Sequence, residues 1–175
     1  MTKLDNVVYA TWTYPTNVIY KLDENTLKPL GVVSTGKSYI DDMVAGTDDR
    51  KLYFSHRTSI YFMSVDDDSF GTWIYKYDPE AVHFKKLSLT SRNSILAVTQ
   101  MRPYTNYTLR EYSFSDGSEI AQLKIPLHVE RVLHAVRLST GAYVVSYKGT
   151  PSDPEKFAVS KLTVYRHVIK AQPER

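Results

Sequence analysis

A short run of β-branched and aromatic residues returns four times along this chain at near-constant spacing, which narrows the possible folds more than any other feature. Val7-Val8-Tyr9-Ala10-Thr11, Lys51-Leu52-Tyr53-Phe54-Ser55, Ser94-Ile95-Leu96-Ala97-Val98 and Ala142-Tyr143-Val144-Val145-Ser146 align through Val8, Leu52, Ile95 and Tyr143, at steps of 44, 43 and 48 residues. After each run comes a connection and then a second alternating strand: Val18 to Asp23, Trp73 to Asp78, Thr108 to Tyr112 and Ser160 to Tyr165. The first two of these share Ile-Tyr-Lys-x-Asp. Turn clusters follow at Asp23-Glu24-Asn25, Asp78-Pro79-Glu80 and Asp116-Gly117-Ser118, where carboxylates can imitate backbone turns and Pro or Gly sets the dihedrals. A returning strand is then read at Leu30 to Val33, Val82 to Phe84 and Ala121 to Ile125. A fourth type of segment, at Asp42 to Ala45, Leu87 to Thr90 and Leu133 to Leu138, precedes the runs listed first, with no counterpart ahead of Val7.

Four strands, A to D, in a unit of about 45 residues is the spacing of a β-propeller blade, whereas helical repeats run nearer 33 to 34. No segment carries apolar residues at i, i+3, i+4 and i+7 behind a capping box. The expected fold is therefore all-β, with propeller-like blades of four antiparallel strands and about four blades, a partial or half propeller. Residues 1–175 read as a single such domain, with approximate repeat units 1–39, 40–86, 87–130 and 131–175. An up-and-down barrel of the lipocalin kind is the competing all-β reading, although Gly71-Thr72-Trp73 lies mid-chain where that fold places its Gly-x-Trp near the first strand.

At 42% apolar residues and 23% charged residues, the 175-residue chain can fill a core and cover it, which excludes a disordered or collagen-like protein. Its net charge of +3 comes from interspersed signs, so no nucleic-acid partner is expected. Without cysteine there is no disulfide, thiolate metal site or cysteine nucleophile, and the compartment is left open. The opening MTKLDNVVYA lacks the apolar stretch of a secretory signal and no run approaches membrane-spanning length, so a soluble chain is expected.

From Asp41 to Gly149 the chain resembles NHL-repeat propellers of the invertebrate type, a branch of the six-bladed group that includes gluconolactonase-like enzymes. The resemblance rests on Leu52-Tyr53-Phe54-Ser55 with Ile74-Tyr75-Lys76-Tyr77-Asp78, on Leu109-Arg110-Glu111-Tyr112-Ser113-Phe114-Ser115-Asp116-Gly117, and above all on His134-Ala135-Val136-Arg137-Leu138-Ser139-Thr140-Gly141-Ala142-Tyr143-Val144-Val145-Ser146-Tyr147. These motifs describe blades, and the resemblance implies a binding scaffold more than an activity. Ser55-His56 replaces the family's Asp, and about four blades stand where the family closes at six.

An unclosed ring leaves apolar sheet faces and strand edges that must be covered. The expectation is a non-enzymatic scaffold that binds a protein partner or a second copy of itself, a homo-oligomer, through its open edges and one loop face. That face is assigned to the longer B-to-C connections, Thr13 to Asn17, Arg57 to Thr72, Met101 to Asn106 and Lys148 to Val159, because insertions in repeat proteins gather on the binding side. These connections contribute Tyr14, Tyr61, Phe62, Phe70, Arg102, Tyr104, Tyr107 and Phe157, the aromatic and Arg side chains from which interface hot spots are built. The alternatives are a monomeric lipocalin-like ligand binder and a carbohydrate-binding propeller.

No catalytic residue is assigned, since G-x-S-x-G, P-loop and G-x-G-x-x-G patterns are absent. Asp66-Asp67-Asp68 lacks the alternation of a calcium loop and reads as a solvated, self-repelling loop. His56, His83, His128, His134 and His167 do not fall at zinc spacings, so neither metal nor cofactor is expected. Asn106-Tyr107-Thr108 is a lone sequon, meaningful only in a secreted protein.

Overall fold

The computed structural model describes residues 1–11, 17–75, 81–90, 93–101, 106–125, 131–148 and 160–165. The described strands fall into four separate antiparallel sheets, each a consecutive stretch of chain, and no helix occurs among the described residues. Sheet 1 holds β1 (Thr2–Leu4), β2 (Val7–Ala10), β3 (Val18–Asp23) and β4 (Pro29–Ser34). Sheet 2 holds β5 (Asp42–Gly46), β6 (Lys51–His56), β7 (Ser59–Ser64) and β8 (Phe70–Tyr75). Sheet 3 holds β9 (Ala81–Leu89), β10 (Ser94–Met101), β11 (Asn106–Ser113) and β12 (Glu119–Lys124), and sheet 4 holds β13 (Arg131–Arg137), β14 (Tyr143–Lys148) and β15 (Ser160–Tyr165). Because the strand ladders described stay within their own sheet, the single closed wall of a lipocalin-like barrel does not form.

Sheets stack in chain order through their A strands, β1 against β5, β5 against β9 and β9 against β13. Three cores fill the spaces between them. Tyr9, Ile19, Met43, Leu52 and Phe54 join sheets 1 and 2, Tyr53, Phe84, Ile95, Ala97 and Tyr112 join sheets 2 and 3, and Leu96, Val98, Leu109, Tyr143 and Val145 join sheets 3 and 4. The period-2 geometry of a strand explains the assignment, since successive side chains leave opposite faces. In β6, Leu52 and Phe54 face sheet 1 while Tyr53 faces sheet 3; in β10, Ile95 and Ala97 face sheet 2 while Leu96 and Val98 face sheet 4. Central strands buried on both faces therefore read as continuous apolar runs.

The structure corrects the strand assignment in three places. A short A strand, β1, does precede Val7 and pairs with β2 from Leu4↔Val7 to Thr2↔Tyr9. The expected Arg57-to-Thr72 connection of sheet 2 is instead a tight turn at Arg57-Thr58 followed by β7 and the hairpin to β8, so Tyr61, Phe62 and Phe70 lie in strands. Trp73-Ile74-Tyr75 is consequently D-type, and Val82-His83-Phe84 belongs to β9, the A strand of sheet 3. Arg57 adopts φ of 54°, a left-handed conformation usually signalled by Gly or Asn, and no such residue marks this turn.

The C-to-D hairpins of sheets 1, 2 and 3 have one shape. Leu27, Asp68 and Gly117 occupy equivalent left-handed positions, with φ of 55°, 57° and 69°, and the closing bonds run from Asp23 N to Lys28 O, Ser64 N to Ser69 O and Ser113 N to Ser118 O. Asp67 and Asp116 accept from the backbone N–H two residues on, at 3.0 Å in both; the Ser69 hydroxyl and then its N–H hold the Asp67 carboxyl below its usual range, and the Ser118 N–H and then its hydroxyl do so for Asp116. The acidic run is not self-repelling, because Asp66 pairs with Arg50 (2.9 Å) and Asp68 takes two bonds from Lys21 (2.5 and 2.7 Å) across the boundary with sheet 1.

Candidate functional site

The B-to-C and D-to-A connections share one end of the sheets, and a cleft of about 360 Å³ opens there where sheets 2, 3 and 4 converge. Tyr39, Ile40 and Asp41 enter it from the connection leading into β5, Lys85 and Lys86 from β9, Gln100 and Tyr107 from the facing ends of β10 and β11, and Arg131 and Val132 from the start of β13. Asp41 and Lys85, 44 residues apart, occupy equivalent positions, each four residues before the partner of the aligned B-strand residue (Ala45↔Leu52, Leu89↔Ile95), whereas Arg131 enters two residues earlier than the equivalent Leu133.

The local fold holds these side chains in position. The backbone N–H of Asp41 donates to Ser55 O (2.9 Å), and Asp42 Oδ2 accepts from the backbone N–H of Leu87 (2.9 Å), which ties β5 to β9. Phe84 N donates to Arg57 O (2.8 Å), fixing the tight turn of sheet 2 against β9. Lys85 Nζ reaches Asp41 Oδ1 at 3.1 Å, while Asp41 Oδ2 is buried without a hydrogen-bond partner. Gln100 Nε2 donates to Tyr107 Oη at 3.3 Å. His83 Nδ1 is also buried and unpartnered. Burial, then Lys85, push the His83 imidazole below its ordinary range against the opposing pull of Asp41, and His56 is lowered by burial, Arg57 and Lys37. Both imidazoles are thereby biased to the neutral form.

The cleft can recognise polar or charged groups, and among the described residues no group of three or more His, Asp and Glu side chains is placed to hold a metal ion. A second carboxylate cluster lies between sheets 3 and 4 toward their opposite end, where Ser94 and the Arg137↔Tyr143 pair sit. Glu111, fully buried, accepts from Arg137 Nη1 (2.7 and 2.8 Å), Tyr143 Oη (2.9 Å) and Ser94 Oγ (2.6 Å).

Of the eight residues expected on the loop face, Tyr14, Arg102, Tyr104 and Phe157 lie outside the described residues. Tyr61 stacks on Phe54 with ring centroids 5.7 Å apart and carries Lys37 Nζ 4.2 Å above its ring. Phe62 leaves the opposite face of β7, beneath Lys51, and packs so closely on Gly71 that a Cβ there would lie 2.4 Å from its ring. Phe70, 40% exposed, meets Phe54 edge-on. Of the four described residues, Tyr107 alone lines the cleft, with most of its surface buried in the core between sheets 3 and 4.

No protein-family model and no curated protein matches the chain. Among solved structures, the WD40 repeats of RRP9 superpose with a TM-score of 0.62 at 15% identity, covering 89% of this chain and 47% of that one. U3-55K gives a TM-score of 0.61 at 15% identity, over 93% of this chain and 49% of its own. Among the described residues no helix is long and apolar enough to cross a membrane. At such low identity the likeness shows the fold: the chain is an arc of β-propeller blades, spanning about half the length of the propellers it matches.

Proposed function

We propose that the protein is a non-enzymatic propeller scaffold whose open arc is completed by protein, either a second copy of itself or a separate partner. The observation that carries this reading is the outer face of sheet 1. Register places Val8 opposite Leu22 and Tyr20 between Ala10 and Val32, so these five residues share the face that points away from sheet 2. No described sheet packs on it, Val32 is 55% exposed there, and Leu30 of the same strand is 58% exposed. Contiguous exposed apolar surface of this kind marks an interaction site. The span of half a propeller, the NHL-like blade motifs between Asp41 and Gly149, and the protein-binding habit of propellers support the same reading.

Light scattering coupled to size exclusion tests it. Self-completion gives a dimer that Val32→Asp, together with Tyr20→Ser, converts to monomer, whereas completion by another protein gives a monomer whose capture of that protein the same substitutions abolish. A monomer that captures no protein, with the sheet 1 variants unchanged in solubility and mass, overturns the reading.

A further inference from the structure

We propose that the cleft between sheets 2, 3 and 4 is a receptor for a carboxylate side chain, Glu or Asp, presented by an acidic segment of a protein partner. This rests on the scaffold reading and names the chemistry that one of its surfaces recognises. Among the described residues, three cations, Lys85, Lys86 and Arg131, line the cleft against one acid, Asp41. Lys85 is engaged by that acid, while Lys86 and Arg131 make no ion pair among the described residues. Cations gathered along a concave surface focus positive potential and favour an incoming anion. An Arg guanidinium can meet a carboxylate through two parallel hydrogen bonds, with Lys beside it as a point charge.

The shape favours a side chain over a polymer backbone. Ile40 and Val132 supply apolar wall for an aliphatic stem beneath the charged groups. The cleft volume of about 360 Å³ lies at the lower end of the ~300–1,000 Å³ typical of ligand sites. Nucleic-acid affinity instead draws on many phosphate contacts along a basic track, and here the three cations are gathered in one small cleft with an acid among them. Asp41 has a further part: its unpartnered Oδ2 competes with the incoming carboxylate for the same cations and repels it.

Fluorescence anisotropy with a labelled, Glu-rich dodecapeptide tests the proposal on the full chain, with a labelled oligouridylate of equal net charge as comparator. The expected result is saturable peptide binding that weakens with added salt, falls at least tenfold in Lys86→Glu and in Arg131→Glu, and is unchanged in Lys28→Glu, a control outside the cleft. Asp41→Asn is expected to tighten binding several-fold. Absence of peptide binding up to millimolar concentration, equal losses in the Lys28 control, weaker binding in Asp41→Asn, or preferential binding of the oligouridylate that the same variants abolish would each overturn it. Circular dichroism verifies folding of each variant, and an Arg131→Gln and Lys86→Gln pair keeps the test decisive if a charge reversal unfolds. Mass measurement on the same samples separates the two ideas, because the cleft variants leave completion of the arc through sheet 1 intact.

Discussion

Glu111 and Asp41 are both carboxylates met by a cation from the next sheet, yet their surroundings differ in one decisive respect. Glu111 is fully buried and each of its oxygens accepts more than one hydrogen bond, from Arg137, Tyr143 and Ser94. Asp41 takes a single bond from Lys85, and its second oxygen has no partner. A buried charge that is fully hydrogen-bonded locks its surroundings into one arrangement, whereas a partly exposed carboxylate held by one cation leaves its neighbours free to rearrange. The contrast separates a joint between blades from the cleft proposed to receive a carboxylate.

The largest effect that would break this contrast is expected at the joint. Replacing Glu111 by Ala strands Arg137 in the core between sheets 3 and 4, and breaking a buried pair in this way costs about 3–5 kcal/mol. Urea denaturation measures it, and a loss below about 1 kcal/mol would show that the joint is not what holds sheet 4. Tyr143→Phe removes one donor from the buried carboxylate and is expected to cost about 1–2 kcal/mol in the same assay.

Acid should act at the other site. With the imidazoles of His83 and His56 pushed below their ordinary value near 6.5 in the folded protein, the unfolded chain binds more protons just below that pH. Stability is therefore expected to be undiminished above about pH 6.5 and to decline as the pH falls toward 5. His83→Gln should flatten that slope, and an unaltered slope in thermal melts from pH 7.5 to 5 would remove His83 from the account. The smallest effect is expected from Asp41→Asn, within about 1 kcal/mol of the parent because the pair it breaks is partly exposed. A loss matching that of Glu111→Ala would make the cleft a second joint and erase the distinction.

Much of the architecture is legible in the residues. The four B strands, the A-to-B turns ending at Arg50, Asn93 and Gly141, and the whole of sheet 3 from Ser94 onward follow from apolar alternation punctuated by turn chemistry. Sheet 2 misleads for two reasons. Arg57-Thr58 turns the chain without Gly, Asn or Pro, and the Ile-Tyr-Lys that begins at Ile74 repeats the motif of β3 although the spatial counterpart of Ile19 is Ile60, each fully buried in the third strand of its sheet. With that turn unmarked, Tyr61, Phe62 and Phe70 read as loop residues although they lie in β7 and β8. The cleft was hidden because residues from three sheets meet there. Its one sequence signal is the charge that recurs at Asp41 and Lys85 in step with the repeat, visible once A strands are known to gather at a common place.

Successive residues of β6 and β10 serve different cores, so each inner sheet is a shared wall and the three cores form a series. A series of this kind unravels from its ends, because an outer sheet parts from one neighbour whereas an inner sheet must part from two. The slowest-exchanging amides should therefore sit in β6 and β10, with protection declining toward sheets 1 and 4. Any partner that caps the first blade turns an end into an interior, and its binding would be felt as rigidity spreading along the arc.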